Sequence, residues 1–187
     1  MPFKTVLSLF GIAFIINGLA NGAFSAIMRP YVMFNLQAST TEFGLVNSLG
    51  FGLVTAIVQI PGGKLADKFG RKPLVLSSSL AIPFFLALAF TRNIWQFVLI
   101  AGIICTVGNI SAPAIDAWLM DSVPKSKRAS VSGVINTING VGMVVGPIIG
   151  SYLWNSMGAI VSFAATGLVF SFQLPAYLKI KETHVKG

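Results

Sequence analysis

The sequence predicts an all-α membrane protein with six transmembrane helices, and three observations carry that reading. Only 10% of the 187 residues are charged while 55% are hydrophobic. A soluble domain carries about 25% charged residues, so a water-facing surface cannot be built from this chain. Six runs are free or nearly free of charge, at about 6–28, 43–63, 74–91, 94–120, 129–154 and 157–178. A bilayer core of about 30 Å needs about 20 apolar residues per helix, and the runs have that length. They are continuously apolar, whereas a membrane-barrel strand alternates every second residue over about ten residues.

The first run is too long for a signal-peptide core and precedes no small-residue cleavage site, so it reads as a span. It carries Asn17 and Asn21, one helical turn apart. The second holds Asn47 and Gln59, and the third offers only serines and a threonine. The fourth contains Asn109, Ser111 and the one charge placed inside a span, Asp116. The fifth contains Asn136 and Asn139, and the sixth has Gln173 near an end. Connections are short, so residues 1–187 read as a single six-helix domain. Trp95, Trp118 and Trp154 lie near predicted span ends, where interfacial aromatics belong. Cys105 is the only cysteine, which excludes a disulfide framework and a paired-cysteine metal motif. The only histidine, His184, reads as a solvated tail residue. No phosphate-binding loop, metal-spaced ligand set or nucleophile–base pair is present, so neither an enzyme, a metal nor a cofactor is expected.

Six spans put both termini on one side. That side holds Lys4, Lys64, Lys68, Arg71, Lys72, Lys125, Lys127, Arg128, Lys179, Lys181 and Lys186, against Arg29 and Arg92 on the other. Lysine and arginine in short loops stay cytoplasmic, so both termini are expected in the cytoplasm of a cell-membrane protein. Topology and contact with anionic lipid account for the net charge of +8, and no nucleic-acid partner is required.

Orientation alone does not explain the segment GGKLADKFGRKP, residues 62–73. It sets one acid, Asp67, among four basic residues. On a helix continuing past the membrane, Asp67 and Arg71 would share a face, acid before base, the favourable order. Gly63-Lys-Leu65-Ala-Asp67-Lys-Phe-Gly70-Arg71-Lys72 resembles the loop-2/3 signature of the major facilitator superfamily at every fixed position. The resemblance implies a conformational latch. In it the aspartate and arginine tie the second helix to the end of the fourth, and to a helix of the other half, when the cytoplasmic side is closed. An acid is needed at the end of the fourth span, and Asp121 stands there, followed by Pro124 and Arg128. The implied latch is Asp67, Arg71 and Asp121, with Gly63, Gly70, Lys72 and Arg128 as further members.

Span five carries a second pattern: Gly133, then Gly142, Gly146-Pro147 and Gly150. The last three glycines are four apart and form a smooth stripe that lets helix backbones approach. The spacing also resembles the fifth-helix antiporter motif of the superfamily, with Ser151 in place of its final glycine, and so implies efflux. The proton-coupled drug exporters of the family carry an arginine in span four, four residues before a glycine. Here Ile104 precedes Gly108, so coupling through that arginine is not expected.

Polar residues inside spans are costly and face a bundle interior or a cavity. Asn17, Asn21, Gln59, Asn109, Asp116, Asn136 and Asn139 are the candidate pathway lining; for each amide the alternative is an interhelical hydrogen bond. Asp116 is either a proton or cation site or a carboxylate paired with a base from 64–72. The resemblance implies that spans one, two, four and five face the cavity and that three and six face lipid. It also implies a 3+3 inverted repeat forming half of a major facilitator fold. The expected partners are the bilayer, a small-molecule substrate and a second six-helix half, from a separate chain or from a second copy. Half of a secondary active transporter working by alternating access is the expected function. The alternative is a truncated, non-transporting membrane subunit or remnant.

Overall fold

A computed structural model describes residues 3–180. Every regular element among them is helical. Five helical segments are long and apolar enough to cross a membrane: α1 (Lys4–Asn35), α2 (Thr40–Phe69), α3 (Arg71–Leu88), α4 (Ile94–Asp121) and α5 (Lys125–Lys179). The tail residues Lys181, His184 and Lys186 lie outside the described residues.

The predicted fifth and sixth runs both fall in α5, with only Asn155 and Ser156 between them. At 55 residues, a straight α5 would extend roughly 80 Å at about 1.5 Å per residue. It is not straight. Gly158 takes φ 74, ψ −175, a region open in practice only to glycine. Before it, contacts with α1 advance, from Asn139 on Phe14 to Gly150 on Ala23. After it they retreat, from Phe163 on Tyr31 to Tyr177 on Phe10. The chain therefore doubles back at Gly158, giving α5 two arms.

Helices also outrun the apolar runs. α1 continues past 28 to Asn35 and α2 past 63 to Phe69, since helical hydrogen bonding does not stop where hydropathy falls. α2 begins with a capping box, the Ser39 hydroxyl accepting from the Glu42 amide while the Glu42 carboxylate accepts from Ser39. The last five residues of α1 and the stretch Val46–Leu53 of α2 are wound as π-helix.

The α1–α5 contact is the spine of the bundle. A Cβ on Gly142 would lie 2.5 Å from the Ile15 carbonyl oxygen, one on Gly146 2.8 Å from the Ala23 nitrogen, and one on Gly150 2.6 Å from the Ala23 carbonyl. α1 answers with Gly22, whose Cβ would meet Pro147 Cδ at 2.8 Å, and with Gly18, set against the Asn139 backbone. Two backbones thus touch over three turns, a packing only small residues allow. Gly133 takes no part: it is exposed, with open space where a Cβ would be.

Two buried clusters sit on either side of this spine. One gathers Phe10, Trp118 and Tyr177 near the 70–72 turn. The other gathers Tyr31, Phe97 and Phe163 at the far end. Trp118 is fully buried and edge-on to Phe10 at 5.7 Å, so it is a core residue and not the interfacial aromatic predicted. The remaining face is supplied by lipid-type side chains such as Val144, Ile148 and Tyr152.

Candidate functional site: a charged helix-end cluster and an amide-lined cavity

Gly70 separates α2 from α3 with no spacer. Its φ of 91 and ψ of 160 require glycine, and they turn the chain so that Asp67 ends one helix and Arg71 begins the next. The predicted pairing of the two on one helical face is therefore not made. Arg71 Nη1 instead donates to the Ala117 carbonyl at 2.9 Å and to the Asp121 carboxylate. Arg128 stands 4.0 Å from the other oxygen of Asp121, and its Nε donates to the Val123 carbonyl at 3.4 Å. Lys72 Nζ donates to the carbonyls of Leu178 and Ile180, at 2.7 and 2.8 Å.

One tight turn thus holds the C-termini of α4 and α5, where unsatisfied carbonyls and the helix dipole favour cations. The Asp121 side chain is 39% exposed and that of Arg71 13%, so the pair sits at the screened end of the ion-pair range, about 0–1 kcal/mol in water. Asp67 is exposed and makes neither hydrogen bond nor ion pair among the described residues. Gly63 likewise faces open space, and the close approach belongs to Gly62, packed on the backbone of Ile110.

Between the helices lies a cavity of about 470 Å³. Asn17, Asn21, Asn109 and Asp116 line it, together with Asn47 and Cys105. Three predicted lining residues do not. Gln59 is exposed outside the wall. Asn136 is exposed and, among the described residues, bonded only to the Ser132 hydroxyl, at 3.5 Å. Asn139 spans to the Phe14 carbonyl at 2.9 Å and to Asn17 Oδ1 at 3.4 Å, acting as interhelical glue. The expected division of faces also changes, since α3 supplies Phe85 and the second arm of α5 supplies Phe170 and Tyr177. Asp116 has no hydrogen bond or ion pair among the described residues, because the base that reaches this part of α4, Arg71, is taken by Ala117 and Asp121. Ile104 and Gly108 both sit in the wall.

The sequence reading passed over several contributors. Cys105 sulfur lies 3.1 Å from the Thr55 hydroxyl and joins α2 to α4. Tyr177 closes one side of the cavity. Gly18 and Gly22 carried a usable signal, since their four-residue spacing matches the stripe they meet. Among the described residues no group of three histidine, cysteine, aspartate or glutamate side chains could hold a metal ion.

The sequence profile of the Major Facilitator Superfamily matches residues 10–186. The chain is 32% identical over 148 residues to the multidrug resistance protein MdtG of Rahnella sp. (strain Y9602), covering 75% of this chain and 35% of that protein. It is 31% identical over 153 residues to the class H tetracycline resistance protein of Pasteurella multocida, covering 80% and 35%. To MdtG of Serratia proteamaculans (strain 568) it is 31% identical over 173 residues, covering 88% and 42%. The chain therefore spans 35–42% of the length of these curated relatives.

Proposed function

The chain belongs to the Major Facilitator Superfamily, a family of membrane transporters and not of enzymes, and from that premise we propose that it works as one six-helix half of a secondary active exporter. It is a multi-pass membrane protein in contact with lipid. The two arms of α5 are read as separate crossings, making six and a 3+3 repeat. The lysine-rich end faces the cytoplasm of the cell membrane, both termini with it. A small solute enters the cavity and is released by alternating access as this half rocks against a second six-helix half.

The observation that carries the reading is the turn at Gly70–Lys72, which ties two helix ends through partly exposed polar contacts, one of them at Ala117, next in sequence to the cavity-lining Asp116. The Arg71–Asp121 contact is the part of the latch within this half. Asp67, with no partner among the described residues, is the part that reaches the other half. Export as the direction rests on the glycine stripe and on the printed names of the relatives, which are resistance proteins.

The glycine stripe does not serve the contact between halves, because α1 already covers it. Pairing falls to the cavity face. Its amides are partly satisfied within their own helices, Asn21 on Asn17 and Asn109 on Cys105, which lowers the cost of leaving them in lipid but does not close the cavity. The test is reconstitution of the purified chain in liposomes with its mass measured in the membrane. A monomer is expected to move no solute; flux through a proven monomer would overturn the half-transporter reading in favour of a six-helix channel.

A further inference from the structure

We infer that the second half is another copy of this chain, held by α2 of each copy packing against the first arm of α5 of the other. This rests on the reading of the chain as one half. Two amides prompt it. Gln59 and Asn136 lie in membrane-spanning helices, outside the cavity, and both are exposed. An amide facing lipid is costly, and a partner amide at the same depth offsets that cost.

Each amide sits in a row of small residues. On α2 the row is Ala56, Gln59, Gly63 and Asp67; on α5 it is Ala129, Gly133, Asn136 and Gly140. Steps of three and four keep each row on one helical face. None of these residues is buried, and a Cβ on Gly63, Gly133 or Gly140 would meet nothing within 4 Å. The Gly142–Gly150 stripe, by contrast, is already filled by α1.

The rows match when read in opposite directions. α2 ends and α5 begins at the charged end of the bundle, where Arg71 and Arg128 both approach Asp121, so the two helices run antiparallel. Counted from Asp67, the α2 row falls 4, 8 and 11 residues along; counted from Ala129, the α5 row falls 4, 7 and 11. No level differs by more than one residue, about 1.5 Å. Gly63 then faces Gly133, Gln59 faces Asn136 and Ala56 faces Gly140, the close backbone approach that small residues permit. The charges agree with this register. Asp67 reaches the start of α5, where the helix dipole is positive. Lys125 and Lys127 are exposed there and make no ion pair among the described residues.

Within one chain the rows face outward and do not meet. α4 holds α2, through Gly62 on Ile110 and Thr55 on Cys105, and α1 holds α5. A two-fold axis along the bundle brings the rows together twice, once on each flank of the cavity, whose wall includes Asn47 of α2 and Met143 of α5. Such a contact is closed and stops at two copies.

Two differently tagged forms of the full chain, both Cys105→Ala, test the register. One carries Gln59→Cys and the other Asn136→Cys; they are co-expressed and oxidised in membranes. A disulfide joining the two tags is expected, at least tenfold more of it than with Val144→Cys in place of Asn136→Cys, eight residues and about 12 Å further along α5. Gly140→Leu should raise the dimer dissociation constant in liposomes tenfold or more and leave the thermal midpoint of the detergent-solubilised monomer unchanged. A parent chain that stays monomeric at every protein-to-lipid ratio, equal cross-linking at 136 and 144, or parental dimerisation in Gly140→Leu would each overturn the proposal. Flux is read separately: a cross-linked dimer that moves no solute upholds the contact and counts against transport, whereas a monomeric parent that moves none counts against the contact alone.

Discussion

The two ends of the bundle differ in what joins their helix termini. At the 70–72 end, the helix termini are joined by Arg71 to Asp121 and Ala117 and by Lys72 to Leu178 and Ile180. Those contacts are polar and partly exposed, so water and salt can substitute for them. At the other end, Tyr31 is 2% exposed and its hydroxyl meets the Thr91 carbonyl and hydroxyl at 3.0 and 3.1 Å. Its ring packs on Phe97, Phe163 and Trp154, with centroids 5.8, 5.0 and 6.4 Å away. No solvent can replace that packing. Both ends thus have a buried aromatic cluster, Phe10, Trp118 and Tyr177 beside the 70–72 turn and Tyr31, Phe97 and Phe163 at the other, and the 70–72 end adds polar contacts between helix termini that water can replace.

The spine between them sets the scale. Gly146→Leu should cost more than the about 1–3 kcal/mol of an ordinary overpacked core, because the obstruction is the main chain of α1, which cannot rotate away. A large drop in thermal midpoint of the purified chain is expected, and both ends should lose order together. An unchanged midpoint would break the comparison at its root.

Tyr31→Ala comes next. Removing a fully packed aromatic costs about 3–5 kcal/mol, whereas Tyr31→Phe should cost about 1 kcal/mol for one hydrogen bond. Thermal unfolding in detergent distinguishes them, and equal losses would mean that the hydroxyl, not the ring, holds the aromatic end.

Much of this contrast could be read from the residues, and some could not. The helices follow from apolar run length, and the Gly142–Gly150 stripe announced a close backbone contact. The stripe's partner was hidden because a stripe does not say which helix covers it. The division between the fifth and sixth runs, at 155–156, fell two residues from the break at Gly158, but hydropathy does not show which residue turns the chain. Asp67 and Arg71 looked like neighbours on one face because sequence spacing does not show that Gly70 turns the chain between them. Asn109 and Asp116 were found as cavity residues, since polarity inside a span has few explanations. Gln59 and Asn136 were not separable from them without knowing the rotation of each helix.

Arg71→Ala should barely move global stability, by about 1 kcal/mol or less. Its effect is confined to the ends of α3 and α4, and a midpoint shift as large as that of Tyr31→Ala would erase the distinction between the ends. Asp67→Asn should be smaller still, within about 0.5 kcal/mol in this chain, because the carboxylate has no described partner to lose. In the two-half transporter proposed above it should raise labelling, from the lysine-rich side, of a cysteine placed at Asn109 in a Cys105→Ala background; equal labelling with and without the substitution would remove Asp67 from the proposed latch.

The most direct measurement is amide hydrogen exchange along the full chain in nanodiscs, in the parent and in Arg71→Ala. Local opening without global unfolding shows as loss of protection in one contiguous region. The account predicts faster exchange at 71–75 and 117–122 in the variant, with 27–35 and 88–97 unchanged. Equal loss at both ends, or none at the charged end, would contradict it.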